Sequence, residues 1–188
     1  MATTKSSRNL ILQWNCRGIR ANRDELHLFD LFLKPACICL QETQIDDNFT
    51  FQLTGFNAYA INPSCGGRAH GGSMILVNHE IPHHQITLRT TFQAVAVQIT
   101  LRSPITLCSL YLPPDYTIDL LDLNDLISQL PKPMMILGDF NAHNTIWGSK
   151  HSDNKGKIVE DWINKNNLSL MNSQDPTYIH PLQEPILH

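Results

Sequence analysis

Five polar residues that could do chemistry stand at the ends of strands predicted from the sequence. They are Asn15, Glu42, Tyr111, Asp139 and Asn141. Strand ends are where a rigid scaffold usually presents functional side chains, so these residues are the first candidates for a site. In an extended chain Asp139 and Asn141 lie on one side and Phe140 on the other, which predicts that a carboxylate and an amide converge.

A lone carboxylate assisted by neutral oxygens suits a hard cation. Glu42 and Asn15 offer such ligands to Mg²⁺, or to Mn²⁺ in its place, and Mg²⁺ keeps waters for a substrate phosphate. Asp139 could orient an attacking water or protonate a leaving oxygen, Asn141 could donate to a phosphoryl oxygen, and Tyr111 could supply a hydroxyl. The set of residues predicts metal-assisted hydrolysis.

Each candidate also has an ordinary structural explanation. Asn15, Asn141 and Asp139 are common turn residues whose side chains bond the neighbouring backbone. Glu42 could belong to a helix start or an ion pair, and Tyr111 could be a core aromatic with its hydroxyl at the rim. Taken one at a time, none of the five establishes a site.

Histidines, glycines and cysteines indicate no second site. His83, His84 and His143 lack the spacing of a closed zinc site. The glycine-rich stretch 66–72 matches neither a P-loop nor a dinucleotide fingerprint, so we interpret it as a connection between strands. The five cysteines show no C-x-x-C spacing, which indicates reduced and mostly buried thiols in an intracellular protein; they are Cys16, Cys37, Cys39, Cys65 and Cys108.

The elements that must hold the candidates alternate between strands and helices, which favours helices packed outside stacked sheets. Apolar runs and turn signals predict the strands, and apolar spacing of three to four residues predicts the helices. The predicted strands are 9–15, 36–40, 56–61, 73–78, 84–88, 95–101, 105–112, 133–137 and 168–171. The first predicted helix begins at Asn22, which can form a capping box with Glu25, and ends at Pro35. The second spans 120–130, and the third begins at Asn154.

Length and charge suit one soluble globular domain, since 42% of the 188 residues are hydrophobic and 16% are charged. The net charge of −3 gives no general attraction to nucleic acid, so any binding to DNA must be local. The polar N-terminus is followed only by the short apolar run 10–12, which predicts neither a signal peptide nor a membrane span.

Four ordered motifs resemble the endonuclease/exonuclease/phosphatase superfamily. With Ile146-Trp147-Gly148-Ser149, their wording is most similar to the endonuclease domain of jockey-type non-LTR retrotransposons, and the similarity covers nearly the whole chain. The motifs are Trp14-Asn15-Cys16-Arg17-Gly18, Leu40-Gln41-Glu42-Thr43, Leu110-Tyr111-Leu112-Pro113-Pro114 and Gly138-Asp139-Phe140-Asn141-Ala142-His143.

The resemblance implies an α/β fold, a four-layer α/β/β/α sandwich with the active site in the loops at one edge. It implies that Glu42 binds the metal, with Asn15 beside it, and that Asp139 is the catalytic aspartate. Tyr111 then contacts the phosphate and Asn141 stabilises the pentacovalent phosphate. It also matches Thr177, in Pro176-Thr177-Tyr178, to a threonine that contacts DNA.

The implied activity is a Mg²⁺-dependent nick in DNA whose 3′-hydroxyl primes reverse transcription. The implied partners are DNA and the reverse-transcriptase domain of a larger element, with no membrane. Action on chromosomal DNA would make the location nuclear.

The resemblance also sets the expected domain boundaries. Residues 1–8 are expected to be a disordered N-terminus, 9–181 the domain and 182–188 an atypical tail. In the family an Ile-Asp motif and a terminal Ser-Asp-His follow, and the sequence does not contain them, so we expect an incomplete domain without its last strands. Two alternatives stay open: a catalytically dead remnant or binding module of the same fold, and a phosphomonoesterase of the superfamily.

Overall fold

The computed structural model describes residues 9–46, 49–62 and 70–172, so Thr177 and Cys65 lie outside the described residues. The chain divides into two compact units. One comprises Met1–Tyr116 with Asn124–Phe140, and the other comprises Thr117–Leu123 with Asn141–His188. The predicted domain boundaries remain a prediction.

Within the described residues, the first unit contains two four-stranded sheets. Sheet 1 has the strand order β1-β2-β4-β3, in which β1 and β2 are parallel and the other pairs antiparallel. Its strands are β1 (Ile11–Asn15), β2 (Cys37–Gln41), β3 (Phe56–Ile61) and β4 (Ser73–Asn78). Sheet 2 has the order β5-β6-β7-β8, in which only β7 and β8 are parallel. Its strands are β5 (His83–Ile86), β6 (Gln93–Thr100), β7 (Pro104–Tyr111) and β8 (Met134–Asp139).

The two sheets stack through the inward-facing side chains of their strands. Because successive residues of a strand point to opposite faces, every second residue of each inner strand enters a shared apolar core. This core includes Cys39 and Ile75 of sheet 1 and Leu107 and Leu137 of sheet 2. The predicted α/β class with stacked sheets is therefore confirmed.

Helix α1 (Arg23–Leu33) covers the outer face of sheet 1. Leu26 is buried there, and the rings of Trp14 and Phe29 meet edge to face with centroids 5.1 Å apart. The helix begins after Asn22 as predicted, but the capping prediction was wrong. The Asn22 side chain makes no cap hydrogen bond and donates to the carbonyls of Cys16 and Gly18 instead.

Helix α2 (Leu120–Ser128) contributes residues to both units, and the second unit also holds a 3₁₀ turn (Thr145–Trp147) and α3 (Asn154–Lys165). Asp153 caps α3, because its carboxylate accepts from the Gly156 amide at 2.6 Å. Burial opposes the charge of Asp153, but hydrogen bonds from Gly156 and His143 outweigh burial and lower its pKa. A side chain at Gly156 would collide with the His143 carbonyl, so this close approach requires glycine.

Two sequence predictions about strands were wrong. Residues 168–171 form no strand. Strand β8 was expected to be a buried strand, yet all six of its residues are only half-buried, because within the described residues it pairs with β7 alone and forms the edge of sheet 2. Other strand positions agree to within one or two residues of the predicted bounds.

Four cysteines are free and buried, as predicted: Cys16, Cys37, Cys39 and Cys108. Within the ranges that the structure describes, no helix is long and apolar enough to span a membrane.

Candidate active site

The carboxyl ends of four strands carry the candidate residues of the first unit. Parallel pairing sets Asn15 of β1 opposite Gln41 of β2, the residue before Glu42. In sheet 2 it sets Tyr111 of β7 opposite Asp139 of β8. Because β1 also lies against β8, the two sheets present these ends at one edge of the sandwich.

The side-chain amide of Asn15 joins the two sheets at this edge. Its Nδ2 donates to Glu42 Oε1 at 2.6 Å and to Asp139 Oδ2 at 2.5 Å. The second contact links residues 124 positions apart in the chain. The structure thus brings Asn15, Glu42 and Asp139 together, as the sequence predicts, and all three are only half-buried and reachable by solvent.

The backbone of Glu42 explains how its carboxylate reaches this position. Strand alternation would point Glu42 away from the face that Gln41 and Asn15 share, but Glu42 has a left-handed backbone with φ of 51°. Its carbonyl accepts from the Gly18 amide at 2.8 Å, which ties the loop after β1 to the loop after β2. A left-handed conformation is costly for a residue with a Cβ and often marks a functional position.

Tyr111 and Asn141 have different settings. Tyr111 is the last residue of β7 and is buried. Asn141 belongs to the second unit, and its φ of 45° shows that the chain is no longer extended after β8 ends at Asp139. The predicted convergence of Asn141 with Asp139 stays a prediction. The roles of all these residues, and of Thr177, remain predictions.

A polar cluster next to the site was not predicted from the sequence. It consists of the buried residues Gln41, Ser73 and Ser109 and the exposed residue Gln13. Gln41 Nε2 donates to Ser109 Oγ at 2.8 Å, which is a hydrogen bond between the two sheets. The available signal was a polar residue at an inward position of an otherwise apolar strand, two residues before Asn15 for Gln13 and two before Tyr111 for Ser109.

Gly71 and Gly72, at the described end of the glycine-rich stretch, pack closely against side chains of neighbouring residues. Gly72 donates its amide to Gln93 Oε1 at 2.6 Å. A side chain at Gly72 would collide with the Thr43 hydroxyl, and one at Gly71 with the Gln93 amide group. These two glycines therefore have a packing role at the start of β4, which agrees with a strand connection.

Cys16 stands beside Asn15 but is not a nucleophile. Burial raises its pKa to about 12, and the Glu42 carboxylate adds to that increase. Its Sγ donates to the Gln41 carbonyl at 3.3 Å. The thiol is therefore neutral and structural at physiological pH.

The donors at this edge fit a hard divalent cation. Glu42 and Asp139 supply carboxylate oxygens, which are ligands that Mg²⁺ prefers. The Asn15 amide nitrogen faces these carboxylates, and its amide oxygen accepts from the Arg17 amide at 3.4 Å. In the described ranges no group of three or more His, Cys, Asp and Glu side chains could hold a metal ion. Mg²⁺ needs no such group, because it is commonly held by one or two carboxylates and completed by water and phosphate.

Comparison with known proteins gives concordant matches. A family model described as "Endonuclease-reverse transcriptase" matches residues 105–187. The probable RNA-directed DNA polymerase from transposon X-element of Drosophila melanogaster is 28% identical over 170 residues, or 89% of this chain and 19% of that protein. The RNA-directed DNA polymerase from mobile element jockey of Drosophila funebris is 25% identical over 178 residues, or 92% of this chain and 19% of that protein. The chain thus spans 19% of the length of these curated relatives.

Solved structures confirm the predicted fold. The endonuclease domain of TRAS1, a telomere-specific non-LTR retrotransposon, superposes with a TM-score of 0.71 at 26% identity, covering 89% of this chain and 75% of that one. The AP endonuclease LMAP from Leishmania major gives a TM-score of 0.61 at 14% identity, covering 84% of this chain and 66% of that one. At that identity, the second likeness speaks for the fold alone.

Proposed function

We propose that the chain, which is similar to endonuclease domains of the non-LTR retrotransposon kind, nicks DNA by metal-dependent hydrolysis. The observation that carries the proposal is the Asn15 amide, which holds a carboxylate from each sheet at 2.6 Å and 2.5 Å. Two carboxylates held this way can serve different roles, one toward a cation and one toward a proton.

Each candidate residue has one proposed task. Glu42 and Asn15 hold Mg²⁺, or Mn²⁺ in its place, and the bound cation supplies charge neutralisation at the phosphate oxygens. Asp139 orients the attacking water or gives a proton to the leaving oxygen.

The remaining candidates act on the phosphate and the nucleic acid. The Tyr111 hydroxyl donates to a phosphate oxygen, and the Asn141 amide donates to the oxygen on which charge develops. Thr177 contacts the DNA.

The proposed substrate is double-stranded DNA, and the proposed setting is a longer polypeptide. The relatives are RNA-directed DNA polymerases of mobile elements, so a nick with a 3′-hydroxyl would give the polymerase its primer. With a net charge of −3, the chain lacks the excess of Lys and Arg that usually supplies affinity for phosphate. We therefore assign most of the DNA affinity to the reverse-transcriptase part, and the place of action to the nucleus.

The test is nicking of supercoiled plasmid by the purified chain with Mg²⁺ or with EDTA. We expect Mg²⁺-dependent conversion to open circles, and a loss of at least about 100-fold for Glu42→Ala and for Asp139→Asn, because each removes a group that acts on the reacting phosphate.

The matched control is Glu80→Ala, which removes an exposed carboxylate from the turn after β4 and should nick like the parent. Circular dichroism on each protein checks that it is folded. A folded parent chain that leaves the plasmid supercoiled in Mg²⁺ contradicts the proposal, as does nicking that survives both substitutions.

A further inference from the structure

Hydrogen bonds between buried polar side chains cross the gap between the two sheets next to the candidate catalytic residues. We propose that Gln41 and Ser109 are positioning residues that fix where Asn15 and Glu42 of sheet 1 lie relative to Asp139 of sheet 2. The inference rests on the proposed function, because it concerns the same site.

The bond between Gln41 and Ser109 is one part of a saturated cluster. Ser109 Oγ accepts from Gln41 Nε2 at 2.8 Å and from Ser73 Oγ at 2.7 Å, and it donates to the Leu40 carbonyl at 3.1 Å. A hydroxyl has one donor and two acceptor positions, so Ser109 is fully used. Gln41 Oε1 in turn accepts from Gln13 Nε2 at 2.6 Å.

Three members of the cluster are fully buried, and Gln13 at its margin is exposed. Gln41, Ser73 and Ser109 each have 0% of their surface exposed. The apolar core between the sheets surrounds the cluster, and a second side-chain contact between the sheets, Asn57 Nδ2 with His83 Nε2 at 3.1 Å, is exposed to solvent. Apolar contacts are non-directional, whereas a hydrogen bond weakens steeply with angle and distance. The cluster therefore specifies a relative position of the sheets that apolar packing alone leaves loose.

The position that the cluster specifies is the one that the site needs. Gln41 immediately precedes Glu42 and pairs with Asn15, so the position of Gln41 sets the positions of these two residues of sheet 1. Ser109 lies on β7, which pairs with the β8 strand that ends in Asp139. A shift between the sheets would separate Asn15 from Asp139, and catalytic groups tolerate displacements of only about 0.5 Å.

The experiment compares Gln41→Met and Ser109→Ala with the double variant. Each single variant leaves one buried polar partner behind and should lower the urea midpoint of unfolding. The double variant removes both partners, so its midpoint should recover toward that of the parent chain, because a matched apolar pair can replace a hydrogen bond at little cost.

The readout that separates positioning from stability is the side-chain amide of Asn15. In the parent chain its Nδ2 contacts both carboxylates, so we expect its protons to exchange slowly with water and to shift in Asp139→Ala. We expect the double variant, despite its recovered midpoint, to show the same shifted and faster-exchanging amide signals as Asp139→Ala. In the nicking assay, kcat should fall at least tenfold while KM changes less.

Thr106→Val is the matched control, because Thr106 is equally buried on β7 but lies on the opposite face of that strand. It should leave the Asn15 signals unchanged. Asn15 signals and kcat that recover together with the midpoint in the double variant would overturn the proposal and leave the cluster a merely structural one. Should the double variant not fold, Ser109→Ala alone decides by the same amide signals. A parent chain that fails to nick overturns the proposed function, while the amide signals still decide the positioning role.

Discussion

The interior of the sandwich and its catalytic edge are built from the same strands but in opposite ways. In the interior, Cys39, Ile75 and Leu107 face one another in an apolar core. Two residues further along the same strands, Gln41 and Ser109 are polar and bonded across the sheets. The apolar contacts of the interior stabilise the stacking of the sheets, and the hydrogen bonds at the edge fix the position of one sheet relative to the other.

The backbone differs between the two regions as well. The interior strands are regular, whereas the loops after β1 and β2 hold Arg17, Glu42 and Gln44 in the left-handed conformation. Conformations of this kind persist only where neighbouring contacts enforce them, as the amides of Gly18 and Ile19 do by bonding the carbonyls of Glu42 and Thr43. The difference suggests that stability and function can be changed separately by substitutions two residues apart.

The largest effect on stability is expected from the interior. Leu107 is fully buried in the core between the sheets, so Leu107→Ala should lower the free energy of unfolding by about 2–5 kcal/mol through lost apolar burial and a cavity. Urea unfolding measures this loss. The Asn15 amide signals of the folded fraction should stay as in the parent chain. If Leu107→Ala lowered the free energy of unfolding no more than Ser109→Ala does, the interior would not dominate stability, and the proposed difference between interior and edge would be contradicted.

The fold was largely predictable because apolar runs, and the turn residues that separate them, predict where the strands lie. Ala36-Cys37-Ile38-Cys39-Leu40 is typical of a buried strand and forms most of β2, and the turn at 102–104 predicts the hairpin of β6 and β7. The failures have physical causes. Strand β8 is as apolar in sequence as a central strand, and only its neighbours in space make it an edge. The run 168–171 has strand composition without a described partner.

The candidate site was predictable in its residues but not in its geometry. Asn15, Glu42 and Asp139 were identified from strand ends and motif resemblance, and the structure brings them together. Neither source predicted the left-handed backbone of Glu42, because nothing in the residue type demands it. The role of Gln41 and Ser109 depends on a contact between residues 68 positions apart, which strand periodicity does not specify.

Thiol ionisation provides a second test, because Cys37 lies in the interior and Cys16 at the edge. Burial raises the pKa of each thiol to about 12, from 9.0 in the unfolded chain. The stabilisation is present below pH 9.0 and is lost as the pH rises toward 12, because the unfolded chain releases these protons first. At pH 10 each thiol should cost about 1.4 kcal/mol of stability relative to pH 8.

Urea unfolding at several pH values, on Cys37→Ala and Cys16→Ala beside the parent chain, measures this loss. Each variant should show a shallower alkaline decline than the parent, by a similar amount. A decline in Cys16→Ala as steep as that of the parent would mean that the edge leaves its thiol in contact with water, unlike the interior.

The smallest expected effect concerns the backbone of Glu42, with Lys34 as its counterpart away from the site. Both are left-handed, with φ of 51° and 47°, and Lys34 ends α1. Since glycine adopts this conformation without the steric cost of a Cβ, Glu42→Gly and Lys34→Gly should each raise the free energy of unfolding by about 0.5–1 kcal/mol in urea. Only Glu42→Gly should abolish Mg²⁺-dependent nicking. A gain in stability at Lys34 but a loss at Glu42 would show that the Glu42 side chain stabilises the fold by more than its backbone costs, and the edge would then contribute to stability as the interior does.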